Sequence, residues 1–255
     1  MTEQKRLTLY AAVDSPFVHR VRLGLEEAKA TYNIIWIDLF NKPDWYQAKV
    51  NPTGKIPVLV YGGPELHEGE EPSPEAEGLT ESLVILEFLA ETFPEARLLP
   101  ADPILRARAR LFSQTVETML QPYLSFMFLN APAEPLLSVL ESLQAMLPPT
   151  GFVAGAWSIA DAAFVPVLIR LELNLKNGLG AYKPEVGKEA LEAFQSTRFA
   201  RLRQYLEDNK ARPSMAKSFE EDQVAEKMKQ RFERFRKTGI VNGFFRVPRA
   251  LPTSE

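Results

Sequence analysis

The chain has 255 residues, a net charge of −3 at pH 7, no cysteine and only two histidines, His19 and His67. The absence of cysteine excludes disulfides, thiolate nucleophiles and cysteine-ligated zinc or iron–sulfur centres. Two histidines 48 residues apart form no multi-histidine metal site, and each is expected to be a structural imidazole, half-buried or at the surface. The small net negative charge does not favour binding of nucleic acid. Neither a metal nor a nucleic-acid partner is therefore expected.

The first 93 residues alternate between strand and helix patterns. Asp14 and Ser15 followed by Pro16 are typical of a helix start, because a short polar side chain caps free amides and proline fits the first helical position. The strand Asn33–Ile37 is apolar enough to be buried on both faces. The pattern predicts strands at 7–11, 33–37 and 57–61, with helices at 16–28 and 43–50 between them.

An acidic segment follows the third strand. Residues 62–78 contain six glutamates and three prolines but no lysine or arginine, which predicts a surface loop before a short strand that ends at Leu79. Thr80 is predicted to cap a helix that ends before Pro94. A strand–helix–strand unit predicts a parallel pair, and two successive strands predict a hairpin, so the sheet is expected to be mixed.

The second half of the chain has helical patterns only. Pro122 is predicted to bend or interrupt a long helix at 104–130, because proline cannot continue the hydrogen-bond pattern of a helix. Ser158 and Asp161 have the spacing of a capping box. Further helices are predicted at 135–146, 158–171, 197–209 and 219–237, with irregular chain after Gly239.

Charge and proline content divide the chain into two domains. Residues 1–93 hold 8 basic and 15 acidic side chains, a net charge of −7, whereas residues 94–255 hold 22 and 18, a net charge of +4. Three prolines mark residues 94–103 as a linker, which leaves 1–93 and 104–255 as the domains. The polar N-terminus lacks the apolar run of a secretory signal, and no apolar run approaches the ~20 residues that a membrane span needs. A cytoplasmic protein without a membrane partner is expected.

Four motifs occur in the order in which glutathione transferases carry them. They are Ser15-Pro16-Phe17, the pair Asn41–Trp45 and Asn51-Pro52, Gly54–Leu59, and Glu81-Ser82. The chain therefore resembles the omega class of that superfamily, with serine in place of the cysteine of the omega motif Cys-Pro-Phe, and it looks most like a serine-bearing fungal group. The resemblance implies an α/β thioredoxin-like N-terminal domain at 1–93, which binds glutathione, and an all-α C-terminal domain with a hydrophobic ligand site.

The resemblance places Ser15 where the thiol of the co-substrate glutathione binds. A free thiol of pKa ~8.5 is mostly protonated at neutral pH. A helix N-terminus stabilises an anion by about 0.3–1 kcal/mol, and a hydrogen bond to a charged group contributes about 1.5–3 kcal/mol. Ser15 is therefore predicted to be the catalytic residue, as a donor to the thiolate and not as a nucleophile. From local sequence alone, the alternative is a plain helix cap.

The resemblance also implies a set of glutathione-binding residues: Phe17, Lys42, Lys55, Ile56, Pro57, Glu81 and Ser82. Most X–Pro bonds are trans, but Pro57 is expected to be cis, so that the backbone of Ile56 pairs with glutathione as a strand would.

The charged and hydroxyl groups of this set are assigned to the two ends of glutathione. The two lysines are candidates for its glycyl carboxylate, Ser82 for its γ-glutamyl carboxylate and Glu81 for its ammonium group. The alternatives are solvated lysines and an ordinary first helical turn.

The remaining expectations concern the acceptor, the assembly and the activity. Tyr123, Phe126 and Met127 are candidates to line an apolar pocket, with plain helix core as the alternative for Phe126. The resemblance suggests a homodimer with helices 81–92 and 104–128 in its interface. The main hypothesis is a transferase that conjugates glutathione to electrophiles or reduces peroxides. The alternatives are a ligandin-type protein that binds phenolic or aromatic molecules with little turnover, and a non-catalytic adaptor.

Overall fold

A computed structural model describes residues 5–239. It contains a sheet of four strands, β1 (Leu7–Ala11), β2 (Asn33–Trp36), β3 (Val58–Tyr61) and β4 (Glu77–Leu79), in the spatial order β2–β1–β3–β4. β1 is parallel to β2 and antiparallel to β3, and β3 is antiparallel to β4. The predicted mixed sheet is therefore confirmed.

β2 lies at the edge of the sheet. Ile35 is buried, but 46% of the Trp36 side chain is exposed, and the Arg22 guanidinium lies 5.4 Å from the centre of its ring. The prediction that this strand is buried on both faces is wrong, because an apolar run does not distinguish an edge strand from a central one.

Two of the three helices in this half lie on one face of the sheet. The helices are α1 (Pro16–Glu27), α2 (Asp44–Lys49) and α3 (Ser82–Thr92). Leu7, Leu9 and Leu59 form a core with α1 and α3, whereas Tyr10 packs on the opposite face with Tyr46 of α2. Close packing of α1 on α3 requires Gly24, since a Cβ atom there would lie 2.8 Å from the Leu86 side chain.

α3 begins two residues after the predicted cap. Its N-cap is Glu81, which has a φ of 63° and whose side chain caps no amide. The prediction of Thr80 as the cap is therefore wrong. A non-glycine residue in this left-handed region is strained, and such residues cluster at binding and catalytic sites.

The second half is helical. Its helices are α4 (Pro103–Thr118), α5 (Leu120–Leu129), α6 (Glu134–Met146), α7 (Ile159–Lys176), α8 (Pro184–Gln195), α9 (Ala200–Lys210), α10 (Pro213–Ser218) and α11 (Glu221–Thr238). The predicted interruption near Pro122 is confirmed, because Met119, three residues before Pro122, separates α4 from α5. The capping box of Ser158 and Asp161 is also confirmed. α8 and α10 were not predicted, and the chain predicted to be irregular after Gly239 lies outside the described residues.

α7 is the central helix of the molecule. Sixteen of its residues are buried, and it packs against α1 of the sheet half as well as α4 and α8. One hydrophobic core therefore extends from the sheet into the helical half. A short 3-10 helix at Pro94–Ala96 lies in the predicted linker. Within residues 5–239, no helix is both long and apolar enough to cross a membrane.

Candidate functional site

Ser15 lies at the carboxyl side of β1 and is the N-cap of α1. Its backbone is extended, with φ −78° and ψ 118°, and its Oγ accepts a hydrogen bond of 3.2 Å from the Val18 amide. A serine hydroxyl has one hydrogen to donate and two lone pairs to accept with. The cap occupies one lone pair and leaves the hydrogen available, so capping and donation to a bound sulfur are compatible.

Arg170 of α7 holds the backbone that leads into this cap. Its guanidinium donates to the carbonyl oxygens of Val13 (3.2 Å), Asp14 (3.2 Å), Ser15 (3.4 Å) and Pro166 (3.0 Å). Burial lowers the pKa of Arg170 to about 10, which still leaves it charged at neutral pH. A side chain from the helical half therefore fixes the conformation of the loop that presents Ser15.

His19, on α1, takes the fifth N–H of Arg170. Its Nδ1 lies 3.0 Å from Nη1 of Arg170, and its Nε2 lies 3.1 Å from Oγ of Ser218. Since arginine only donates, Nδ1 must be the acceptor, and the neutral imidazole carries its hydrogen on Nε2. Burial, followed by the charges of Arg170 and Arg22, lowers the pKa of His19 well below 6.5. The expectation of a surface or half-buried His19 is wrong, because its side chain faces α7 and α10 and is only 2% exposed; His67 is exposed, as expected.

The Ile56–Pro57 peptide bond is cis, as expected. The preceding carbonyl, of Lys55, accepts hydrogen bonds from the Tyr46 hydroxyl (2.7 Å) and the Asn51 amide (2.9 Å). Within residues 5–239, the structure gives the N–H and C=O of Ile56 no hydrogen-bond partner. Ile56 therefore offers an unused donor and acceptor on the backbone just before β3.

The charged residues of the predicted site interact with its loops. Lys42 Nζ donates to the Gly54 carbonyl at 2.5 Å, and partial burial lowers the pKa of Lys42. Lys55 lies 3.6 Å from Glu81, and both side chains are 67% exposed. These contacts bring the segment before α2, the turn before Pro57 and the start of α3 together.

Ser82 is buried at the first position of α3, where its Oγ accepts from Nη1 of Arg20 at 3.4 Å. Arg20 is fully buried, donates to the Ala163 carbonyl at 2.8 Å and pairs with Glu117 of α4 at 2.8 Å. Because the contact with Arg20 uses a lone pair of the Ser82 hydroxyl, its hydrogen remains free to donate. Phe17, half-buried, lies with its ring 5.1 Å from the Arg20 guanidinium.

The three residues predicted to line an acceptor pocket are placed differently. Phe126 and Met127 have no exposed surface, and Phe126 stacks on Tyr182 with ring centres 4.8 Å apart. Phe126 therefore belongs to the helix core, as its alternative states, and Met127 is buried with it, because most residues of α5 are apolar. Tyr123 is 9% exposed, its hydroxyl accepts from Asn174 at 3.3 Å, and burial raises its pKa.

Neither Arg20 nor Arg170 is among the residues predicted from the sequence. Both lie among apolar residues of helices, Arg20 between Val18 and Val21, and Arg170 between Ile169 and Leu171. Arginine is almost never fully buried without partners, so a lone arginine in an apolar helical run is a usable indication of a buried polar contact. No group of His, Asp and Glu within residues 5–239 has an arrangement that could hold a metal ion.

Comparison with known proteins gives a consistent set of relatives. Residues 14–92 match the family model described as the N-terminal domain of glutathione S-transferase. The chain is 31% identical to pyrimidodiazepine synthase of Drosophila melanogaster over 86% of its own length and 82% of that protein. It is 35% identical to glutathione S-transferase omega-2 of Rattus norvegicus over 41% of the chain and 37% of the relative.

Solved structures are similar over almost the whole chain. The crystal structure of glutathione transferase Omega 1C from Trametes versicolor superposes with a TM-score of 0.86 at 41% identity, covering 90% of this chain and 97% of the other. Omega 2S from the same organism, in complex with 2,4-dihydroxybenzophenone, has a TM-score of 0.84 at 45% identity, covering 88% and 98%.

Proposed function

Because the chain belongs to the glutathione transferase superfamily, in its omega-like class, we propose that it activates glutathione with Ser15 and conjugates it to hydrophobic electrophiles or uses it to reduce peroxides. The observation that carries the proposal is the Ser15 hydroxyl, whose oxygen caps α1 while its hydrogen remains available. Serine at this position and the absence of cysteine mean that glutathione is held without a covalent bond to the protein.

The chemistry follows from stabilisation of the thiolate. Ser15 donates its hydroxyl hydrogen to the sulfur, and the positive end of the α1 helix dipole adds its partial charge. The thiolate sulfur supplies the electron pair of the new bond to the electrophilic carbon, and the leaving group departs with the pair of the broken bond. A hydrogen bond to an anion contributes about 1.5–3 kcal/mol, which corresponds to about one to two units in the thiol pKa.

The backbone of glutathione is assigned to Ile56. Its unused N–H and C=O, exposed by the cis bond to Pro57, match the donor and acceptor of the cysteinyl residue. Phe17 of α1 is assigned to the same set of glutathione-binding residues.

The two ends of glutathione are assigned to the flanking charges and hydroxyl. Ser82 donates to the γ-glutamyl carboxylate, and its contact with Arg20 supports this, because Arg20 occupies the oxygen and leaves the hydrogen to point away. Glu81 takes the ammonium group, and Lys42 and Lys55 face the glycyl carboxylate. In this arrangement, Glu81 and Lys55 move apart when glutathione binds.

A ligandin-type function, binding phenolic or aromatic molecules with little turnover, is the second candidate. It is favoured by one observation, that the similar Omega 2S structure is a complex with 2,4-dihydroxybenzophenone. In this proposal Tyr123 borders the ligand, and Phe126 and Met127 support it from the core. The non-catalytic adaptor has no such observation in its favour.

We also propose that the protein is a cytoplasmic homodimer. Val84 on α3 and Ile104 and Leu111 on α4 are between 57% and 63% exposed, and such apolar surface on adjacent helices suits an interface between two copies.

The test measures glutathione binding and turnover separately. Wild type and Ser15→Ala are compared for retention on immobilised glutathione and for conjugation of chlorodinitrobenzene. We expect both proteins to be retained and the conjugation rate of Ser15→Ala to fall about 10- to 150-fold, from loss of about 1.5–3 kcal/mol. Asp102→Ala, which removes the cap of α4, controls for loss of a helix cap.

Three results contradict parts of the proposal. An unchanged rate in Ser15→Ala rejects the role of Ser15. Retention with negligible turnover in the wild type favours the ligandin-type function. If the wild type is not retained on immobilised glutathione, the non-catalytic adaptor becomes the favoured function.

A further inference from the structure

α11 connects two separate loops of the proposed glutathione site. Arg231, only 9% exposed, pairs with Asp14 at 2.5 Å, next to Ser15. One turn further along, Arg234 donates to the Phe40 carbonyl at 3.0 Å, two residues before Lys42. The same helix therefore contacts the segment that presents the proposed thiolate donor and the segment that presents a proposed carboxylate partner.

Further contacts fix α11 in this position. Lys227 lies 3.8 Å from Asp38, in the loop before α2. The guanidinium groups of Arg231 and Arg234 lie 5.7 and 5.0 Å from the centre of the Phe40 ring. Phe232 is buried against Phe128 of α5 with ring centres 4.9 Å apart, so the helix is anchored on the helical half while its basic side chains reach the sheet half.

The ion pair of Arg231 with Asp14 adds a second restraint, besides Arg170, on the loop that presents Ser15. Arg170 holds the carbonyls of residues 13–15 and attracts the Asp14 carboxylate by its charge, but it forms no hydrogen bond or ion pair with that carboxylate, whose side chain is 5% exposed. Arg231 is the only guanidinium within residues 5–239 that the structure pairs with this carboxylate. Without Arg231, the buried Asp14 carboxylate would lose its ion-pair partner, which favours a turn of this side chain towards solvent. Because Asp14 directly precedes Ser15, a displacement of Asp14 would be transmitted to the backbone that presents the Ser15 hydroxyl.

We propose that Arg231 is a positioning residue, which acts through Asp14 to orient the Ser15 hydroxyl towards the glutathione sulfur. This inference rests on the proposed function of Ser15. It assigns to α11 a role in the reaction although none of its residues is expected to touch glutathione. Arg231 fixes the donor, whereas the cysteinyl backbone contacts at Ile56 lie on a different segment, so Arg231 affects thiolate formation more than glutathione affinity.

The experiment uses the full chain and two readouts. The first is the pKa of enzyme-bound glutathione, measured from thiolate absorbance and from the pH profile of conjugation. The second is the division of the effect between kcat and KM for glutathione. We expect Arg231→Gln to raise the apparent thiol pKa by about one unit, to reduce kcat at neutral pH about tenfold and to change KM less than threefold.

Rescue and coupling variants separate positioning from folding. Arg231→Lys keeps the positive charge, so we expect its thiol pKa to lie between those of the wild type and Arg231→Gln. Lys229→Ala, on the exposed face of α11, is expected to leave the thiol pKa unchanged. Asp14→Asn reproduces the change of Arg231→Gln, since it removes the same ion pair with little change in size. In the Ser15→Ala background, Arg231→Gln adds no further loss, because both changes remove one interaction.

The outcomes distinguish this inference from the proposed function. If Ser15→Ala lowers the rate but Arg231→Gln and Asp14→Asn leave the pH profile unchanged, the inference alone fails. Additive losses in the double variant also overturn it, since Arg231 would then act independently of Ser15. If Ser15→Ala itself has no effect, the proposed function fails and the inference with it.

Discussion

The environment of His19 predicts that this residue makes the folded state sensitive to acid. Its Nδ1 accepts a hydrogen bond from Arg170, and its Nε2 donates to Ser218. The ring of Phe219 stacks on the imidazole, with centres 5.3 Å apart, and excludes water from that side. Protonation of Nδ1 would place a hydrogen against a donor and a second positive charge beside Arg170. The folded protein therefore binds this proton far less readily than the unfolded chain.

The size of the effect follows from proton linkage. The unfolded histidine has a pKa of ~6.5, whereas burial and the neighbouring arginines lower the pKa in the folded state well below 6.5. Above pH ~6.5 both states are neutral, and the stabilisation is complete. As the pH falls below ~6.5, the unfolded state gains a proton that the folded state lacks, and stability decreases. Between pH 6 and 5 this contribution amounts to about 1 kcal/mol at most.

The assay is equilibrium urea unfolding of wild type and His19→Gln at constant protein concentration, at several values of pH from 7.5 to 5. Carboxylates titrate in both proteins, so the difference between the two isolates His19. We expect the free energy of unfolding of the wild type to fall more steeply, by up to about 1 kcal/mol between pH 6 and 5. His67→Gln, at the exposed histidine, retains the wild-type dependence. Parallel curves for wild type and His19→Gln would refute the assignment of a neutral, acceptor Nδ1, and imidazole nitrogen shifts in NMR spectra check the tautomer independently.

Three further predictions test other parts of the molecule. Ser15→Cys is expected to gain glutathione-dependent thiol-transferase activity and to lose conjugation, because a thiolate at this position attacks the glutathione sulfur of a glutathionylated substrate and releases the substrate thiol, and a second glutathione then releases oxidised glutathione and regenerates the thiolate; absence of disulfide reduction in an assay with a mixed-disulfide substrate would contradict this. Leu111→Asp is expected to yield monomers in light scattering, since it places a charge in the proposed interface, whereas Leu129→Asp, at an exposed leucine of α5, leaves the mass unchanged. Arg20→Met is expected to reduce the free energy of unfolding by about 3 kcal/mol and to raise KM for glutathione, because Glu117 and Ser82 lose a buried partner; urea unfolding and steady-state kinetics measure the two effects, and an unchanged KM would exclude the link to Ser82.

Much of the sheet half could be predicted because its information is local. Ser15 and Pro16 define the start of α1, alternating residues define β1, and the acidic segment before Leu79 defines the long connection to β4. The helix start at Ser82 could not be predicted from the same rules. Glu81 adopts a left-handed conformation that its sequence does not favour, so tertiary structure imposes it.

The side chains that support the site are the part that local sequence does not reveal. Arg170 lies 155 residues from Ser15 along the chain, and its partners are backbone carbonyls, which every residue possesses. Sequence motifs report the groups that would meet glutathione but not the groups that hold them. Phe126 shows a second limit of prediction from sequence. Its apolar side chain fits both a ligand pocket and a helix core, and only the observed packing against Tyr182 distinguishes the two.

The contact of Arg231 with Asp14 has a consequence for synthesis of the protein on the ribosome. The two residues are separated by 217 positions, so at about 5–20 residues per second some 10–45 s pass between their additions to the chain. Within that interval the sheet half is made, but Asp14, beside the serine proposed as catalytic, lacks the counter-ion that Arg231 supplies. The nascent chain therefore acquires a complete site only when its last described helix has been translated, and products of premature termination before α11 lack it.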